Sequence, residues 1–196
     1  MSQEEQMEDR HYIQLAEMYL RNALDGNYQA YDPALRGIGF YDAPASRGHH
    51  LAERGGLMKH SVYVTRRLVA LTNSFNVLWP RRESPYLVGM LHDLVKCRCY
   101  RAVEGAGPAW EYVQPEYQGH GACSVAIASE LGIQLMREEI AAIMFHMGPW
   151  GVGKEYTEAE FRAAMDAFPS CIVATHTADW YAAAVDEREV QHADAH

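Results

Sequence analysis

Between Asp9 and Leu24 the apolar side chains Ile13, Leu15, Ala16, Leu20 and Leu24 recur at close to helical steps, which predicts an amphipathic helix stopped by Gly26. The periodicity then lapses. Residues 26–55 are rich in Gly, Pro, Asp and Arg and read as a long irregular connection, a feature more often functional than idle in a compact domain. The helical period returns at Leu57, Ser61, Val64, Leu68 and Leu71, and again after Pro85 at Leu87, Leu91, Leu94 and Val95. A proline at that place suits the first turn of a helix. Past Lys96 large residues alternate through CYRAV and WEYVQP on either side of EGAGPA, which predicts a β-hairpin over 99–114.

GHGACSVAIASELG starts another helix, with Cys123, Ser124, Ile127 and Leu131 on one face and Gly132 as its stop. Residues 136–147, with Ile140 and Ile143, predict a further helix closed by Gly148 and Pro149. Thr157 and Glu160 form a capping-box pattern ahead of FRAAMDAF. Pro169 and Ser170 then introduce a last long helix in which Ile172, Thr175, His176 and Asp179 fall at steps of three and four. The fold class is therefore mostly α, a helical bundle with a small β-hairpin insertion.

No internal repeat, low-complexity tract or Gly/Ser linker divides the 196 residues, which predicts one domain over 1–196. Its core spans about 43–184. Residues 1–42 supply the N-terminal helix and part of the irregular connection, and 185–196 a polar tail. Glu138, Glu139 and the tail DEREVQHADAH read as solvated. The polar start MSQEEQMEDR has no apolar run of the kind that targets export or crosses a membrane, so a cytoplasmic protein is expected. Four scattered cysteines fit reduced thiols better than a disulfide framework.

A formal net charge of −9 argues against a broad surface that tracks nucleic-acid phosphates. A small anionic substrate needs a local reversal of the field, for which a bound divalent cation is the compact device. The chain has ten histidines, and several stand where a hydrophobic residue is expected. His60, the pair His92 and Asp93, His120, His146 and Asp179 each interrupt the inward face of a predicted helix. A buried ionisable group is costly unless it is paired or bound to metal. Successive groups lie roughly a helix plus its connection apart, so each element contributes one donor to a shared centre, as helical bundles build metal sites. Imidazoles and carboxylates around a borderline divalent ion leave coordination positions open for water.

In order and spacing, HHLAERGGLMKHS, MLHDLVK, GHGACSV, FHMG and HTADW resemble the HD-domain metal-dependent phosphohydrolase superfamily over residues from about 43 to 184. The upstream HH followed by GGLMKH is similar to the HD domain of bacterial 3′→5′ exoribonucleases and related uncharacterised HD hydrolases. The resemblance implies that His60, His92, Asp93 and Asp179 hold a first ion, and that His120 and His146 hold a second with Asp93 bridging. It implies a catalytic role for Asp93 and Lys96, the lysine contacting a substrate phosphate. As residues alone, Lys96 also fits a helix C-terminal charge, favourable to the macrodipole.

The implied activity is cleavage of a phosphate ester or anhydride, of a nucleotide or short oligonucleotide, by attack of metal-bound hydroxide. One or two divalent ions drawn from Mn, Fe, Co, Ni and Zn suit the donors. Two alternatives share them: an HD-type di-iron oxygenase, and a non-catalytic nucleotide-binding HD module. The exoribonuclease relatives carry a nucleic-acid-binding domain for which this chain has no room, so the expected partner is a small phosphorylated molecule and not a long nucleic acid. A homodimer and a closing role for the hairpin both stay open.

On the substrate side His50, Arg54, Arg98 and Trp150 join Lys96 as candidates, with His49, Arg47 and Arg101 behind them. Tyr100, Trp110, Tyr112, Tyr117 and Trp150 either pack the hairpin or stack on a base. His176, one turn before Asp179, either orients a ligand or packs in the core.

Overall fold

In the computed structural model residues 3–46, 51–103, 109–115 and 119–187 are described. Helix α1 (Gln3–Ala23) leads through Asp25 and Gly26, both with left-handed backbone, into α2 (Tyr28–Gly37). This second helix lies inside the stretch expected to be irregular. Tyr28, Tyr31 and Leu35 recur at helical steps, and burial of Tyr28 and Leu35 in the core overrides the poor helix propensity of Pro33.

Helix α3 (Gly56–Phe75) runs through the middle of the molecule, and every residue from Gly56 to Thr65 is buried. It is followed by α4 (Ser84–Leu91), the short α5 (Lys96–Cys99) and the hairpin β1 (Tyr100–Val103) and β2 (Ala109–Tyr112). The strands are antiparallel, with Tyr100 opposite Tyr112 and Ala102 opposite Trp110. Then come α6 (His120–Glu130), α7 (Arg137–Met144), a 3-10 turn (Gly148–Gly151), α8 (Glu158–Ala167) and α9 (Pro169–Tyr181), which passes into a π-helical turn (Ala182–Asp186). The architecture is mostly helical with one small hairpin. Thr157 and Glu160 make the reciprocal capping bonds read from the sequence. No helix among the described residues is long and apolar enough to cross a membrane.

Helix α3 packs on α1, α4 and α9, while α7 packs on α6 and α9. Leu20, Leu35, Leu57, Leu91 and Ile127 share one apolar cluster, and Val64, Leu68, Val88, Ile143 and Ala178 a second. Two glycines set how closely these helices meet. A Cβ on Gly89 would lie 2.5 Å from Thr65 Oγ1 and 2.6 Å from Thr65 Cα, so α4 touches the backbone of α3 there. A Cβ on Gly121 would lie 2.4 Å from the carbonyl oxygen of Ile143, which brings α6 equally close to the end of α7.

Three boundaries differ from the sequence reading. The periodicity of LVGMLHDLVK suggests helix throughout, yet α4 stops at Leu91 and residues 92–95 form a tighter turn. Leu94, Lys96 and Cys97 bond to carbonyls three residues back. The Val95 N–H is taken by the Ser124 hydroxyl of α6 at 3.1 Å, so a tertiary contact supplies an acceptor in place of the helix's own carbonyl. Likewise α7 ends at Met144, short of 147, and leaves His146 in the turn behind it. Near the C-terminus, Asp186 and Glu187 are buried and do not belong to a solvated tail, because the π turn directs them inward.

Glu139, read as solvated, is also fully buried. Arg81 grips its two oxygens at 2.7 and 2.8 Å, Ser84 donates to it at 2.7 Å, and it caps α7 by accepting from the Met136 N–H. The expected cost of Arg81→Met is about 2–3 kcal/mol in urea unfolding, because a buried carboxylate loses its counter-charge while Ser84 and Met136 remain. Gly89→Ala is expected to lower stability by about 1–3 kcal/mol through the forced parting of α3 and α4. A thermal midpoint equal to wild type would show that the helices do not depend on this approach.

Candidate metal centre

His60 rises from the buried half of α3, His92 and Asp93 from the turn after α4, His120 from the start of α6, His146 from the turn after α7 and Asp179 from α9. Five separate chain segments thus meet. Three overlapping sets, His60 with His92 and Asp93, His92 with His146 and Asp179, and Asp93 with His120 and His146, each bring one donor atom per residue to within 4.8 Å of one another. These groups can hold a metal ion. His60, His92, Asp93 and His146 are buried, whereas His120 and Asp179 are partly open.

The ring orientations follow from what each Nδ1 meets. His92 Nδ1–H donates to the carbonyl of Gly89 at 2.9 Å, and His146 Nδ1–H to that of Ile143 at 2.7 Å. His60 Nδ1–H donates to Glu187 Oε1 at 2.6 Å. Carbonyls and carboxylates accept only, so in the neutral rings each Nε2 keeps its lone pair for the centre. His60 Nε2 and His92 Nε2 face each other at 3.2 Å. Two lone pairs at that separation call for a cation between them, a metal ion or a proton.

Asp93 divides the donors into two groups. Its Oδ2 lies 3.5 Å from His60 Nε2 and 3.5 Å from His92 Nε2. Asp179 Oδ1 lies 3.2 Å from the first and 3.8 Å from the second. Donors about 2.1 Å from one ion stand roughly 3.0–3.4 Å apart in octahedral or tetrahedral arrangement; the two 3.2 Å separations fall in that range, and those of 3.5 and 3.8 Å would have to close a little around an ion. The other oxygen, Oδ1, lies 3.5 Å from His146 Nε2 and 2.5 Å from His120 Nε2. The His120 contact is a hydrogen bond, shorter than two ligands of one ion allow, so the second group is the tighter and less preformed one.

Charge in the cluster is mutually held. Burial opposes ionisation of Asp93, yet Lys96, His92 and His120 outweigh it and hold the carboxyl well below its usual range. Burial likewise opposes ionisation of Asp179, and His60 leads the groups that hold it down. His92 is pushed down to about 4 by burial, which keeps its ring neutral. For His60 burial is overcome by the carboxylates of Asp179 and Glu187, and it is pushed up to about 9. Lys96 Nζ sits 2.5 Å from Asp93 Oδ2, its side chain 17% exposed. In the tight turn, residues three apart come into line, which is how Lys96 meets Asp93.

A cleft of ≈ 440 Å³ opens beside Asp179, lined among others by Trp150, Lys154, Glu155, His176 and Trp180. Trp150 and Trp180 are both largely exposed, and the Trp150 ring lies against His176, tilted by 31° with ring centroids 5.2 Å apart. His176 Nδ1–H donates to the carbonyl of His146 at 2.7 Å, which ties down the turn that carries His146. Glu155 accepts from the backbone N–H of His120. Arg54 pairs with Asp42, Arg98 with Glu130 and Arg101 with Glu111. His50, with Arg47, His49 and Tyr117, lies outside the described residues.

Lys154, Glu155, Trp180 and Glu187 are members of this neighbourhood to which the sequence reading gave no role. Glu187 was hidden in an acidic tail, and Trp180 gives no signal beyond its place next to Asp179. Comparison of the chain with protein-family models, curated proteins and solved structures gives no significant match.

For chelator-stripped protein reconstituted with Mn²⁺, elemental analysis is expected to find at least one ion per wild-type chain and none in His92→Ala. Retention of the wild-type content by that variant overturns the assignment. His120→Ala is expected to keep the ion held by the set of four.

Proposed function

We propose that the protein is a metal-dependent phosphohydrolase of the HD type, acting on a phosphate ester or anhydride of a nucleotide or short oligonucleotide. The observation that carries this reading is the position of Asp93: one oxygen faces His60 and His92, the other His120 and His146, and Lys96 bonds to its rim. His60, His92, Asp93 and Asp179 would hold the first ion, and His120 and His146 with Asp93 a second. A divalent ion bound there supplies an activated water at neutral pH and neutralises charge on phosphoryl oxygens.

The protein's own groups supply the rest. Asp93 and Asp179 repel a phosphate on their own, and Lys96 is the cation at the rim placed to turn toward a phosphoryl oxygen once the carboxylate is otherwise balanced. The partly open edges at Asp179 and His120 admit a small group from the side of the cleft. Trp150 and Trp180 offer large flat surfaces at that side, which suit a base stacked while its phosphate reaches the centre. Lys96 also favours anionic substrates over the oxygen chemistry that the same donors support.

Nucleoside monophosphates and short dinucleotides, assayed with Mn²⁺ for phosphate or mononucleotide release, test this reading. Lys96→Met is expected to lower kcat about 100-fold, as for loss of a group aimed at transition-state charge. Trp180→Ala is expected to raise KM about 10-fold with little change in kcat, as for loss of one stacking surface. No turnover of any of these substrates, together with oxygen uptake by the iron-loaded protein, would favour the oxygenase reading instead.

A further inference from the structure

Glu187 lies far along the chain from the ligands, in a segment whose sequence reads as polar tail, yet its side chain is fully buried and its Oε1 is 2.6 Å from His60 Nδ1. The segment is brought there by a specific backbone device. Asp179 and Glu187 are eight residues apart, which at about 100° per residue would leave them roughly 80° apart around an α-helix. The π turn at Ala182–Asp186 takes up about one additional residue and rotates Glu187 back by ~100°, onto the side of Asp179. Asp186, next to it, is gripped by Arg67 of α3 through both Nε, at 2.7 Å, and Nη2. The Arg67 guanidinium also lies over the Tyr181 ring, 4.3 Å from its centroid. Ion pair and cation–π contact thus pin both ends of the turn to the helix that carries His60.

We infer that Glu187 is a positioning residue of the metal centre, and that the π turn with its Arg67 anchor exists to deliver it. A carboxylate buried to this degree is costly without partners, and a ligand imidazole is one that it has, at 2.6 Å. His92 and His146 use backbone carbonyls for the same purpose, whereas His60 has a full negative charge behind it. Such a carboxylate fixes the Nδ1–H tautomer, aims Nε2 at the ion and makes the imidazole a stronger donor. Glu187 touches neither ion nor substrate in this role.

The inference rests on the reading of the cluster as a metal site, and the test separates the two. Mn²⁺ is titrated calorimetrically into the chelator-stripped full chain for wild type, Glu187→Leu, Glu187→Gln and Arg67→Met. Leucine fills similar volume and accepts no hydrogen bond, so binding is expected to weaken about 10- to 100-fold. Glutamine keeps an accepting oxygen and is expected to recover most of that loss, and Arg67→Met to fall between. Equal Mn²⁺ affinity in wild type and Glu187→Leu overturns the role of Glu187 and leaves the metal centre standing. Absence of Mn²⁺ binding in wild type overturns both. Should Glu187→Leu fail to fold, Arg67→Met decides: Mn²⁺ affinity below that of wild type at unchanged helical content is expected, and an affinity equal to wild type overturns the proposal.

Discussion

Everything in the central part of this protein follows from the convergence of imidazole nitrogens on Asp93 inside a helical core. His60, His92 and His146 each spend Nδ1–H on an acceptor that cannot donate in return, so their remaining nitrogens turn toward one another and toward the carboxylates. Lone pairs and negative oxygens at 3.2 to 3.8 Å are unfavourable company unless positive charge lies among them. Within the protein, Lys96 contributes some of that charge. An apolar cluster of similar volume would hold the helices together as well or better, so the arrangement makes sense as a site and not as a stabilising device.

The surrounding helices are organised to make that convergence reachable. Gly89 lets α4 touch α3 three residues before His92, and its own carbonyl orients the His92 ring. Gly121 lets α6 approach the end of α7 one residue after His120, where the same turn presents His146. Ser124 takes the Val95 N–H and so helps end the regular helix where the His92 and Asp93 pair must face inward. Contacts that look like ordinary packing therefore help set where these side chains lie.

On the open side the chemistry changes character. Around Asp179 the walls carry Trp150 and Trp180 beside Lys154 and Glu155, with Trp150 tilted against His176 and His176 in turn bonded to the backbone of His146. An exposed ring and the buried His146 are thus linked through one imidazole. The arginines at 54, 98 and 101 belong to local ion pairs at the periphery.

The helical class and the hairpin were legible in the sequence, because helical periodicity is a local property, and a histidine or aspartate on an apolar face breaks it visibly. His60, His92, Asp93, His120, His146 and Asp179 were marked by that violation, and the structure brings them together in overlapping sets. The ends of α4 and α7, the helix at Tyr28–Gly37 and the burial of Glu139 were not legible, since each depends on a partner distant in the chain: Ser124, the core around Leu35, or Arg81. Glu187 is the extreme case. Its local context is a run of charges, which reads as solvent-facing, and only the π turn and the grip of Arg67 on Asp186 carry it to His60. Local pattern could say which residues do not belong in a core; which groups repay their burial is a matter of geometry across the fold.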